Sequence, residues 1–261
     1  MDYQHIEVAV EDAIGRITLS RPDRFNALSL ELLHEVLDAL GVVSSDAAVK
    51  VVIIDGAGRA FSVGHDLNEM IDRERSFFDE LFTTCTVMMD KIQHIPQPVI
   101  AKVHGMAAAA GCQLVAACDL VVASEGSRFG TTGLKVGLFC STPMVPLSRA
   151  IGRKRALEML LTGDTISAER AADWGLVNRV VAADELEAAT MELAHQIAHY
   201  SPEVVGLGKA AFYRQVEMPQ AAAYELAKDV IAENATIADG QEGMKAFLDK
   251  RQPVWTGSVD S

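Results

Sequence analysis

Two glycine-bearing turns carry the residue types and spacing that could do chemistry. The first is Ala60-Phe61-Ser62-Val63-Gly64-His65-Asp66-Leu67, directly after a β-branched run. The second runs from Val103-His104-Gly105 through Met106, Ala107, Ala108, Ala109 and Ala110 to Gly111-Cys112-Gln113-Leu114. Small residues at a helix start let a ligand approach the backbone closely. The unpaired N–H groups there can hold an anion or the oxygen of a carbonyl that is gaining charge. Each turn alone reads equally well as a tight strand-to-helix connection in a crowded core. His65 adds an imidazole with an ordinary pKa of about 6.5, placed either beside a ligand or against nearby backbone. Cys140 offers a thiol, although a buried thiol in an apolar loop is usually inert. His195 and His199 are an i, i+4 pair, but no third ligand is evident, so a solvated helix face is expected and no metal site.

The elements that must position these turns are legible in the hydropathy pattern. Residues 6–10 and 17–19 alternate around Asp12-Ala13, as a hairpin does. Ser29 reads as the N-cap of a helix with Leu30, Leu33, Val36, Leu37 and Leu40 on one face and Gly41 at its end. Residues 49–54, 99–103 and 119–123 read as buried strands, with a helix over residues 75–94 between the first two. From about residue 184 strands disappear, and helices follow with breaks near Pro202, Pro219 and Gly240. The expected organisation is an α/β core over residues 1–200 and a helical region over residues 201–261.

Composition sets limits. The chain has 261 residues, with 23 Lys and Arg against 36 Asp and Glu, a net charge of −13. That surface disfavours nucleic acid. The longest apolar run, residues 106–118, is too short to cross a bilayer, so no membrane partner is expected. Met1-Asp2-Tyr3-Gln4-His5 is unlike a targeting presequence, and the four cysteines lack a CxxC pair. A cytoplasmic protein with reduced thiols is the expectation. Walker, GxGxxG, HExxH and GxSxG signatures are absent.

Together the two turns, with Arg21-Pro22-Asp23-Arg24-Phe25-Asn26, Cys118-Asp119-Leu120, Phe129-Gly130, Trp174-Gly175-Leu176 and Phe247-Leu248-Asp249-Lys250-Arg251, resemble the crotonase superfamily of enoyl-CoA hydratases and isomerases. The resemblance implies a spiral of ββα units, a C-terminal helical region that assembles homotrimers or hexamers, and an acyl-CoA in the cleft. It implies no tightly bound cofactor. By motif match, the backbone N–H groups of His65 and Ala110 form an oxyanion hole. Arg24, Phe25, Ser62, Asp66 and Leu67 fall at ligand-facing positions, and Phe247 and Lys250 near the adenine and ribose phosphate.

The resemblance also exposes a departure. The hydratases of this superfamily use two glutamates, and the matching positions here are Gln113 and Gly133. An amide and a hydrogen cannot exchange protons usefully near neutral pH, so ordinary hydratase turnover is expected to be weak. The sequence leaves three outcomes: another enolate reaction, a silent acyl-CoA-binding protein, or a displaced base from residues 69–80. Thr131-Thr132-Gly133-Leu134-Lys135 is similar to the corresponding stretch of 1,4-dihydroxy-2-naphthoyl-CoA synthases, which implies room for bicarbonate at Gly133. There Thr131 and Cys140 replace that family's Gln and Asp. The acyl pocket is expected to involve residues 67–82 and 139–145.

Overall fold

β-branched runs that are apolar on both faces have to be covered on both sides, and the chain does this with a six-stranded sheet between helices. The computed structural model describes residues 3–257. The ends of the expected core and helical regions, residues 1–2 and 258–261, lie outside the described residues. In chain order the elements are β1 (Ile6–Glu11), β2 (Ile14–Leu19), α1 (Leu30–Ser45), β3 (Val51–Gly56), α2 (Leu67–Met70), α3 (Arg75–His94) and β4 (Val99–Val103). Then come β5 (Met106–Ala108), α4 (Ala110–Ala117), β6 (Leu120–Ser124), β7 (Arg128–Gly130), α5 (Met144–Ile151) and α6 (Arg153–Thr162). The remainder is β8 (Thr165–Ser167), α7 (Ala168–Trp174), β9 (Arg179–Val181), α8 (Leu186–Ala198), α9 (Pro202–Val216), α10 (Gln220–Thr236) and α11 (Ala238–Leu248).

The large sheet has the order β1-β2-β3-β4-β6-β9, antiparallel only at the β1/β2 hairpin. A second, three-stranded sheet, β5-β7-β8, stands beside it. This pairing sets the register of the second glycine turn, because Ala108 lies opposite Gly130. The main core joins the sheet to α1, α3 and α4 through Leu32, Leu33, Val36, Met88, Ile92 and Leu114.

α1 begins as expected, with Ser29 Oγ accepting from the Leu32 N–H. It does not stop at Gly41. Val43 continues its buried face, so packing overrides the weak helix propensity of glycine. Lys91 Nζ lies 2.9 Å from where a Gly41 Cβ would stand. The break expected near Gly240 falls at Ile237, between α10 and α11; Gly240 itself sits in the first turn of α11, where an added Cβ would meet the Asn234 carbonyl at 2.0 Å.

α9 is fastened to the core. Lys209 Nζ donates to the carbonyls of Ile92 at 2.8 Å and Gln97 at 2.9 Å and to Asp119 Oδ2 at 2.6 Å. Tyr213 OH donates to Asp119 Oδ1 at 2.7 Å. α10 has no buried residue, and Tyr224, Ile231, Phe247 and Leu248 are exposed along α10 and α11.

Candidate functional site

The two turns interlock backbone against backbone. Ser62 N–H donates to the Met106 carbonyl at 3.1 Å, and Ala108 N–H donates to the Ser62 carbonyl at 2.9 Å. Two glycines make the approach possible. A Cβ on Gly111 would stand 2.2 Å from the Ser62 carbonyl oxygen. A Cβ on Gly64, at φ +93°, would stand 2.8 Å from Ala109 Cβ and 3.0 Å from Ala110 N. Ala109, which precedes α4, has φ +47°, a conformation that costs an alanine roughly 1–3 kcal/mol. Strain of this size at a helix start fixes the direction in which the first amides point.

As a result the residue after Gly64 and the residue after Ala109 share one wall. Neither the His65 N–H nor the Ala110 N–H has an acceptor among the described residues. Both residues line a cavity of about 720 Å³ with Phe25, Val63, Leu67, Met70 and Phe82 on one side. Leu138, Phe139, Cys140 and Pro143 line the other. The arrangement is a pair of unpaired donors in a largely apolar enclosure. Such donors are worth most to a carbonyl oxygen acquiring charge, because the dipoles are already oriented.

The His65 ring stacks edge-on against Phe82 at 5.4 Å between centroids. Both ring nitrogens are closed to solvent, and neither makes a hydrogen bond of ordinary geometry among the described residues. Burial pushes its pKa down to about 4, with the Leu28 backbone opposing only in part. The imidazole is therefore neutral at physiological pH, and the Leu28 backbone is the polar group that acts on it.

The other expected residues separate. Arg24, Phe25, Asp66 and Leu67 line the cavity, with Arg24 exposed. Asp66 is engaged elsewhere: it caps α2 through the Asn68 N–H and accepts from Arg21 Nη2 at 2.9 Å. Burial raises its pKa, but the bonds from Asn68 and Arg21 outweigh that and hold it below the usual carboxylate range. Ser62 does not line the cavity; it is fully buried and donates to the Asn26 carbonyl at 2.8 Å, a scaffolding contact. Phe247 and Lys250 are exposed at the end of α11 and do not line the cavity of the single chain.

Gln113 is buried with Oε1 unpaired and is not among the cavity-lining residues. Gly133 does line it, but a Cβ there would meet the Leu138 carbonyl oxygen at 2.6 Å and Cys140 Sγ at 2.8 Å. Those atoms occupy the place a Cβ would take, so a side chain at this position requires the segment over residues 138–140 to shift. Burial raises the Cys140 pKa, which makes it a poor nucleophile. The expected displaced base also fails: no carboxylate from residues 69–80 lines the cavity, and Glu69 accepts from the Leu30 N–H at 3.0 Å.

Sequence reasoning missed Lys135 and Asn26. Lys135 places a second exposed cation on the cavity wall. Asn26, at φ +54°, ties the Arg24 segment to the first turn by bonds to Arg21 N–H and to the carbonyls of Ala57 and Ala60. An asparagine followed by apolar residues, with φ > 0 tolerated, was the available signal. Of the expected acyl-pocket stretches, residues 139–143 line the cavity while Met144 and Val145 do not, and of residues 67–82 Leu67, Asn68, Met70 and Phe82 line it. His195 and His199 are exposed, and among the described residues no cluster of three His, Cys, Asp or Glu could hold a metal. No helix among them is long and apolar enough to cross a membrane.

Comparison with known proteins agrees with this geometry. The family model for enoyl-CoA hydratase/isomerase matches residues 9–258. The chain is 48% identical over 247 residues to the mouse enoyl-CoA hydratase domain-containing protein 3, mitochondrial, covering 94% of this chain and 82% of that protein. A crystal structure of the human enoyl Coenzyme A hydratase domain-containing protein 3 superposes with a TM-score of 0.95 at 47% identity, covering 97% of this chain and 100% of that one. An enoyl-CoA hydratase structure from Mycobacterium smegmatis gives a TM-score of 0.94 at 45% identity, covering 97% and 99%. The expected spiral fold is thus borne out. The cytoplasmic expectation is corrected, since the mouse, rat, frog and human relatives are all named mitochondrial. Buried reduced thiols report the absence of disulfides, not the compartment.

Proposed function

The chain belongs to the enoyl-CoA hydratase/isomerase family, and from that footing we propose that it binds acyl-CoA thioesters and polarises the thioester carbonyl between the His65 and Ala110 amides. Charge moving onto that oxygen as an α-proton leaves, or as an enoyl chain is attacked, is stabilised by donors that need no rearrangement. Each such donor contributes about 10²–10³ in rate. The observation that supports the reading is that His65 and Ala110, whose amides have no acceptor among the described residues, line the same apolar cavity. Arg24 and Lys135 supply positive charge on an otherwise acidic protein, where the coenzyme's phosphates would lie.

Standard hydration is the weak part of the repertoire. General acid and base groups contribute roughly 10²–10⁴ each, and Gln113 and Gly133 offer neither. The cavity-lining carboxylates are Asp23, which is exposed, and Asp66, which is held by Arg21. That scarcity favours a second reading, an acyl-CoA-binding protein without turnover. Self-association through the apolar face of α10 and α11, as a homotrimer or hexamer, would bring Phe247 and Lys250 to a neighbouring ligand.

A panel of enoyl-, 3-hydroxyacyl- and saturated acyl-CoA esters in deuterated buffer, followed by mass spectrometry, tests the proposal. Deuterium entering the α-position supports a working enolate site. Binding without exchange or product supports the silent reading, and no binding of any ester refutes both.

A further inference from the structure

A second cavity, of about 350 Å³, lies between β7, β8, α6 and α7. Three cations line it: Arg128 at the start of β7, Arg170 on α7, and Lys135 on the short 3₁₀ turn Thr132–Val136. All three are exposed, within reach of an ion from solution. Two carboxylates, Glu158 and Asp164, line the same space, so the wall carries an excess of positive charge on a chain of net charge −13. Two of the cations are held in place. Arg128 donates from Nη2 to the Thr165 carbonyl at 3.1 Å and to Thr165 Oγ1 at 3.0 Å, and from Nε to the same Oγ1 at 3.3 Å. These bonds leave the two Nη1 donors for another acceptor. The Arg170 guanidinium lies 5.7 Å from the centre of the Trp174 ring, a cation–π distance. Guanidiniums fixed in this way lose little freedom on meeting an anion. Lys135 is placed differently, because it also lines the cavity of His65 and Ala110. Its Cε passes 3.8 Å from where a Gly163 Cβ would stand, on the turn that carries Asp164. One ammonium group thus stands between two cavities and serves an anion in only one of them at a time.

We propose that this second cavity binds inorganic phosphate as hydrogen phosphate, and that the bound ion draws Lys135 out of the acyl-CoA cavity and so weakens acyl-CoA binding. The site stands apart from the acyl-CoA reading; its effect on acyl-CoA rests on that reading. The cations account for the charge of the ligand, and the carboxylates account for its identity. An ionised carboxylate only accepts hydrogen bonds. A fully deprotonated anion therefore meets repulsion from Glu158 and Asp164, whereas the P–O–H of hydrogen phosphate donates to one of them. Sulfate has the same shape and charge without that proton. A repulsive element of this kind separates ligands that the cations alone would treat alike. The coupling is reciprocal: phosphate and acyl-CoA weaken each other by the same factor.

Calorimetry with inorganic phosphate, sulfate and methyl phosphate at constant ionic strength tests the site on the full chain and on Arg170→Gln. A phosphomonoester, with a second pKa of about 6, has lost its proton at about pH 7.5 and serves with sulfate as the proton-free control. Phosphate is expected to bind the unaltered protein about tenfold more tightly than either control, and Arg170→Gln is expected to abolish that binding. Butyryl-CoA titrated with and without saturating phosphate tests the coupling. Its Kd should rise about fivefold or more in the unaltered protein and stay constant in Arg170→Gln, whose affinity in phosphate-free buffer should equal that of the unaltered protein. Phosphate that binds no better than sulfate, or that still binds Arg170→Gln, overturns the site. An unchanged butyryl-CoA affinity, or a loss that persists in Arg170→Gln, overturns the coupling. Failure of butyryl-CoA to bind in phosphate-free buffer overturns the acyl-CoA reading and leaves the phosphate site to the calorimetry. Should the variant not fold, the ¹⁵N-edited spectrum of the unaltered protein decides the matter, with Trp255, outside the cavity lining, as the internal control. Movement of the Trp174 indole N–H with phosphate but not sulfate supports the site, and no movement, or equal movement with both, overturns it.

Discussion

Replacing Gly64 by alanine attacks the convergence of the two amides without removing either. The added methyl would stand 2.8 Å from Ala109 Cβ and 3.0 Å from both the Ala108 carbonyl oxygen and Ala110 N. Carbon atoms pack comfortably at about 3.5 Å, so the turns must separate by roughly 0.7 Å at the tightest point. Oxyanion donors act within a window of about 2.7–3.1 Å, and an opening of that size removes one of them from range. A further ~1–2 kcal/mol of backbone strain comes from placing alanine at positive φ. Gly163→Ala is the control: it has φ +66° but meets nothing closer than 3.6 Å, so it carries the strain without the wedge. The assay is α-proton exchange of bound acyl-CoA, paired with thermal denaturation. Gly64→Ala is expected to lose about 10² or more in exchange; Gly163→Ala is expected to lose about 1 kcal/mol of stability with exchange unchanged. A folded Gly64→Ala protein exchanging within twofold of the original would refute the reasoning.

Other outcomes follow from the same contacts. Gly133→Ala should destabilise by about 1–3 kcal/mol through overpacking, and adding Cys140→Ala should recover part of it, as read by denaturant unfolding. Gly133→Glu should not restore hydratase turnover, because the Leu138 carbonyl blocks its side chain. Lys209→Met leaves the Asp119 carboxylate buried without its cation and should cost about 3–5 kcal/mol, visible as a lowered denaturation midpoint. His65 gives a pH signature. Its folded pKa of about 4 lies below the unfolded value, so the unfolded chain takes up the proton first. Stability from this residue is intact above about pH 6.5 and declines toward pH 4, by a few kcal/mol in all. His65→Phe should flatten that part of the acid limb; an unchanged limb would show that the ring is not buried neutral.

The legible parts of this molecule were those written locally. The helix over residues 75–94 and the strand over residues 99–103 match α3 and β4 because their caps, prolines and β-branched runs all lie in adjacent sequence. The oxyanion turns were legible through their glycines, which mark where two backbones touch. The small β5-β7-β8 sheet was not, since each strand has three residues and its register depends on pairing across 20 residues or more. The role of Ser62 was misjudged because a hydroxyl beside a glycine turn looks ligand-facing until Asn26 is placed beneath it. The closure of Gly133 was equally invisible: it depends on the Leu138 carbonyl and the Cys140 thiol folding back across the residue. Lys135 was read as part of a resembling stretch rather than as a charge on the cavity wall.

Infrared difference spectroscopy of a ¹³C-carbonyl-labelled acyl-CoA bound to the protein reads the polarisation itself. Two converging donors in an apolar enclosure should lower the thioester carbonyl stretch below its value in water, and Gly64→Ala should return it toward that value. A bound carbonyl absorbing at or above its aqueous frequency would contradict the account.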